Sequence, residues 1–124
     1  MDALYRRMPV DRLRVPAADF AAVLNAAAAR FAADRSDRFA AGVLACAQWI
    51  AGITEDHPIR DGREPCTVEG MESCQMMADA VVYEMPHAPS GIDRRWALGV
   101  AGMVSWARGA ARRPPVSIDS HRAA

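Results

Sequence analysis

The sequence predicts an all-α protein, a four-helix arrangement of two repeated αα-hairpins in which the second and fourth helices are central. Three observations support this prediction. Apolar residues recur at steps of three and four along most of the 124-residue chain, the spacing that places them on one face of a helix. Proline, glycine and helix-capping residues separate these stretches. A central segment also recurs in the last third of the chain.

That internal repeat contains two uncommon residue types at fixed positions. The two copies are FAAGVLACAQWIAG at 39–52 and WALGVAGMVSWARG at 96–109. Gly42 matches Gly99, and Trp49 matches Trp106. Matches of this kind are better explained by an internal repeat than by coincidence.

The helix-capping and helix-breaking residues between the apolar stretches predict four helices. Pro16 suits the first position of a helix, Ser36 is the predicted cap of the second helix, and Asp93 holds the same position in the second copy. Thr67 is the predicted cap of the third helix. The predicted helices are 16–33, 37–53, 67–85 and 93–111.

The remaining segments define the domain organisation. We expect an N-terminal arm at 1–15, a single helical domain with an internal twofold repeat at 16–113, and a mobile C-terminal tail at 114–124. Val116 and Ile118 are candidates for docking within that tail. Residues 54–66 hold two prolines, a glycine and mixed charges, and form the longest predicted loop.

Two glycines in helix interiors predict a close helix crossing. An interior glycine costs on the order of 1 kcal/mol relative to alanine, and contact between backbones would recover that cost. We therefore expect the second and fourth helices to pack at Gly42 and Gly99. Trp49 and Trp106, two turns further along, are expected on the far side of the crossing, where Met103 and the two indoles form either a filled core or a ligand pocket.

Charge is balanced overall but unevenly distributed. Residues 55–84 contain eight acidic residues and two arginines, whereas 85–124 contain two acidic residues and six arginines. Solvated faces of separate helices account for this, and so do complementary patches that meet within or between chains.

The cysteine count and the apolar runs indicate a cytoplasmic protein. Three cysteines without paired spacing, and no secretory leader, favour a reducing compartment. The longest apolar run, 39–53, is shorter than the roughly 20 residues that cross a bilayer. We expect no membrane span.

The candidates for chemistry are weak. His57, Cys66, Cys74 and His87 lack the close pairs typical of structural zinc sites, so no metal or cofactor is expected. Cys66, near the start of a helix, is the one thiol placed for a lowered pKa, with His57 as a possible base. Any flexible loop of ordinary composition offers such a set, and we expect no enzyme.

The predicted function is therefore a small helical protein-protein interaction module, of adaptor, regulator, inhibitor or immunity type. The apolar central helices and flexible methionines favour a protein partner, including a second copy of the chain. The interface or pocket candidates are Gly42, Trp49, Met77, Gly99, Met103 and Trp106. The alternative is a nucleic-acid-associated regulator. It would use Arg94, Arg95, Arg108, Arg112 and Arg113.

Overall fold

The computed structural model describes residues 12–118 of the chain. These residues form four α-helices and no β-strand, which confirms the all-α prediction. The helices are α1 (Ala17–Ala33), α2 (Arg38–Ile50), α3 (Val68–Val82) and α4 (Arg94–Ala107). Most of the predicted N-terminal arm lies outside the described residues.

Polar side chains fix the starts of three helices. Asp37, Thr67 and Asp93 accept hydrogen bonds from backbone N–H groups in the first turns of α2, α3 and α4. The prediction that Ser36 caps α2 is wrong. Its N–H and hydroxyl groups both donate to the Asp34 carboxylate instead, because Asp37 stands one residue closer to the helix and satisfies its free N–H group.

Three helices end earlier than predicted because the chain turns into the left-handed region. The residues that make this turn are Gly52 (φ 78°), Glu84 (φ 54°) and Gly109 (φ 81°) after α2, α3 and α4. In each case the next residue donates its N–H, at 2.9 Å, to the carbonyl five positions earlier. This is the Schellman motif, which satisfies a carbonyl that the helix leaves free.

The helices pack in the order α1 on α2, α2 on α4, and α4 on α3, with the most extensive contact between α2 and α4. At this contact Gly42 lies against the backbone of Trp96, and Gly99 lies against the backbones of Phe39 and Val43. A Cβ atom at position 99 would be 2.8 Å from the Val43 nitrogen, too close for any side chain. The glycine crossing therefore occurs as predicted.

The core continues from the helices into the chain after α4. Val116 and Ile118 are both buried in the main apolar cluster, and Pro115 lies over Gly102 of α4. Residues 114–118 were expected to belong to a mobile tail. They pack instead against the core, because Val116 and Ile118 bury their apolar side chains there; residues 119–124 lie outside the described part.

Candidate functional site

The six residues predicted as interface or pocket candidates lie largely in the interior. Gly42 and Gly99 are enclosed at the helix crossing. Trp49 and Met103 are 0 % exposed and Trp106 is 4 % exposed, whereas Met77 is half-buried. A partner therefore cannot reach Trp49, Met103 or the two glycines without opening the core, and Trp106 is reached only at the edge of a cavity beside Pro16.

Two tryptophans hold the 54–66 loop against the central helices. The Trp49 indole N–H donates to the carbonyl of Glu64 at 2.9 Å. The Trp96 indole N–H donates to the carbonyl of Pro58 at 2.7 Å. Sequence reasoning gave Trp96 no role; its place in the repeat, opposite Phe39, was the available signal. The loop is thus fastened to both α2 and α4.

His57 organises the turn inside this loop. Its Nδ1 accepts hydrogen bonds from the backbone N–H groups of Ile59 and Arg60, both at 3.1 Å, and its ring lies 4.8 Å from the Trp49 ring. Since Nδ1 must stay unprotonated to accept both bonds, the proton of the neutral ring is on Nε2. Burial lowers the pKa of His57, which favours this neutral form. His57 is thus engaged in the turn and is not a free base.

The cysteines are buried free thiols. Cys46 and Cys74 are 0 % exposed and Cys66 is 4 % exposed. Burial raises the pKa of Cys66 to about 12 and that of Cys46 well above its usual range. The prediction that Cys66 is placed for a lowered pKa is therefore wrong, because its side chain joins the core while Thr67 faces the helix start. Within 12–118, no group of His, Cys, Asp and Glu is arranged to hold a metal ion.

The arginines proposed to contact nucleic acid have different structural roles. Arg94 donates through Nε to the carbonyl of Val82 at 3.0 Å, at the end of α3. Arg108 donates to the Gln75 side chain at 2.5 Å and lies 3.5 Å from the Glu72 carboxylate. Both therefore join α4 to α3.

The other three arginines are exposed but are not gathered in one place. Arg95 follows the start of α4, Arg112 lines a cavity beside Pro16 and Trp106, and Arg113 lines a separate groove. The two arginines that are adjacent in sequence thus face different cavities.

That separate groove, of about 380 Å³, is formed by α3, α4 and the segment 111–115. We call it the α3/α4 groove. Its lining residues are Gln75, Asp79, Val82, Tyr83, Leu98, Ala101, Gly102, Ser105, Ala111, Arg113 and Pro115. The surface mixes apolar and polar side chains, with a carboxyl group on α3 and a guanidinium group on 111–115.

Large apolar side chains are exposed at this groove. Tyr83 is 73 % exposed and Leu98 is 37 % exposed. Met76, 72 % exposed, lies one turn from Asp79 on α3, and Met85, 45 % exposed, follows the helix. Exposed apolar residues gathered on one surface are typical of binding sites, whereas single ones are ordinary.

Two charged side chains in the groove have no ion-pair partner in the described part of the chain. Within residues 12–118, neither the Asp79 carboxylate nor the Arg113 guanidinium makes an ion pair or a side-chain hydrogen bond. Burial raises the pKa of Asp79, since no nearby cation stabilises the ionised form. A ligand that brings a positive group to Asp79 would therefore gain from the contact.

No significant match to the chain was found among protein-family models, curated proteins or solved structures. Among the described helices, none has the length and apolar character to cross a membrane.

Proposed function

We propose that this protein is a small helical protein-binding module and that the α3/α4 groove is its contact surface. The observation that supports this function is the exposure of two large side chains, Tyr83 and Leu98, in the same groove. Met76, also exposed, lies on α3 one turn from Asp79 of the groove. An adaptor, regulator, inhibitor or immunity-type protein would each need such a surface.

The composition of the groove suits a protein partner. Tyrosine, here Tyr83, is enriched at protein interfaces, because it combines a large contact area with a polar hydroxyl group. Gln75 and Ser105 add polar groups along this surface. The buried thiols and the engaged His57 offer no comparable arrangement for catalysis.

Site-specific photo-crosslinking in the cell of origin tests this function. A photoreactive amino acid at position 98 should give a protein adduct of defined mass, and Tyr83→Glu in the same chain should remove it. The same amino acid at position 35, exposed in the turn between α1 and α2, should give none. Equal labelling at both positions, or none at position 98, would exclude the groove as the contact surface.

We also propose that the two helix pairs are copies of one structural unit. The reciprocal contacts at Gly42 and Gly99 and the left-handed glycines at 52 and 109 support this interpretation. The caps Asp37 and Asp93 do not match in the repeat, so the copies differ where the helices begin. A chain with 39–52 in place of 96–109 should retain its helical content and cooperative unfolding; a loss of both would oppose the proposal.

We propose a cytoplasmic location for this protein. Three cysteines without paired spacing are typical of proteins in a reducing compartment. Alkylation of the denatured protein immediately after cell lysis should modify all three thiols. Recovery of a disulfide-linked form would oppose this location.

A further inference from the structure

The α3/α4 groove carries opposite charges on two different walls. Asp79 belongs to α3, and Arg113 belongs to the segment 111–115 that follows α4. Each lacks an ion-pair partner among residues 12–118. The groove therefore presents an unpaired carboxylate and an unpaired guanidinium together with exposed Tyr83 and Leu98.

The arginines of α4 do not supply the missing cation for Asp79. Arg108 is already bound to Gln75 and Glu72, and Arg94 is bound to the carbonyl of Val82. Both contact α3 on either side of Asp79 along the helix. Neither of these two arginines is therefore available to Asp79.

A surface with this pattern is complementary to itself. In a dimer with twofold symmetry, each patch meets the same patch of the other copy, reversed in direction. The carboxylate on α3 of each copy can then meet the guanidinium on 111–115 of the other copy, so that the pair forms twice.

We propose that the occupant of the α3/α4 groove is a second copy of this chain, placed by a twofold axis so that Asp79 of each copy faces Arg113 of the other. In this arrangement α3 of each copy lies along the groove of the other, and Tyr83 and Leu98 are covered in both. The inference rests on the proposed protein-binding function and names the partner of that same surface.

Sedimentation equilibrium of the full chain and of two charge reversals tests the inference. The wild type should show a dimer that dissociates on dilution. Asp79→Arg places two arginines together at both contacts, and Arg113→Asp places two aspartates together. Each variant alone should therefore have the mass of a monomer. Circular dichroism should show unchanged helical content, because both side chains lie at the surface of the groove.

Mixing the two variants provides the most specific measurement. The arginine introduced at position 79 of one chain meets the aspartate introduced at position 113 of the other. The unchanged Arg113 of the first chain meets the unchanged Asp79 of the second, so both pairs are restored. An equimolar mixture should then form a heterodimer with the mass of two chains. The matched control is Arg112→Asp, since Arg112 lines a different cavity; this variant should dimerise as the wild type does.

A wild type that stays monomeric at every concentration would overturn the inference. A dimer that survives both single reversals would also overturn it, because the interface would lie elsewhere. If the adduct from position 98 contains a different protein while the chain sediments as a monomer, the groove still binds protein and the second-copy inference alone fails. Absence of any adduct from position 98 would instead reject the proposed function.

Discussion

The carbonyl oxygen of Trp96 lies directly over Gly42, in the space that a side chain at position 42 would occupy. The carbonyl oxygen of Phe39 lies over Gly99 in the same way. Trp96 also donates its indole N–H to Pro58, so one residue both packs at the crossing and holds the 54–66 loop. A change in the distance between α2 and α4 would therefore also displace the 54–66 loop.

Gly42→Ala should destabilise the fold far more than Gly52→Ala. At position 42 the new methyl group overlaps the backbone of Trp96, and separating two packed helices should cost about 3 kcal/mol. Gly52 has open space around it and a φ of 78°, so alanine there should cost about 1 kcal/mol through backbone strain alone. Urea unfolding monitored by circular dichroism measures both free energies. Equal losses would contradict the close crossing.

The crossing could be predicted because glycine inside an apolar helix is informative by itself. The ends of the helices were harder to predict from the sequence. The third helix was predicted to reach residue 85 because Pro86 follows it, yet Glu84 adopts the left-handed conformation that usually requires glycine. The Met85 N–H donates to the carbonyl of Ala80 at this turn, and the sequence gives no sign of such a Schellman motif where glycine is absent.

The groove could not be predicted for a different reason. Its walls come from α3 and the segment 111–115, which meet only because both pack on α4. Trp49 and Met103 were singled out instead, since a buried core and an apolar interface leave the same pattern in a sequence. Their complete burial distinguishes the two.

Glu84→Gly should stabilise the protein. A residue with a side chain is strained at a φ of 54°, and glycine should relieve that strain by about 0.5–1 kcal/mol after its greater unfolded-state entropy is counted. Glu84→Ala is the matched control, because it removes the same carboxylate but keeps the Cβ atom. Thermal unfolding should show a higher melting temperature for the glycine variant alone. The same gain in both variants would assign the effect to charge.

All three thiols should react slowly with an alkylating reagent at neutral pH in the native protein. Only the thiolate is nucleophilic, and burial raises the pKa of Cys66 to about 12 while Cys46 and Cys74 have no exposed surface. Mass spectrometry after timed quenching gives the rate for each cysteine. Labelling in urea should be rapid and serves as the control. Fast native labelling of Cys66 alone would show that its thiol is accessible and activated.

Stability should fall as the pH is lowered below 6.5, and His57 should account for a distinct part of that fall. Burial lowers the pKa of His57 in the folded protein below its usual 6.5. At pH values between the folded-state pKa and 6.5, the unfolded chain therefore binds a proton that the folded chain does not. The free energy of unfolding then decreases with falling pH, by at most about 1.4 kcal/mol per pH unit for one proton.

His57→Asn should flatten this dependence, because the asparagine Oδ1 can accept hydrogen bonds from the same N–H groups of Ile59 and Arg60 but cannot be protonated. His57→Ala should lose the turn at every pH. Urea unfolding between about pH 5 and 8 measures all three chains, and an unchanged slope in the asparagine variant would assign the pH dependence to another group.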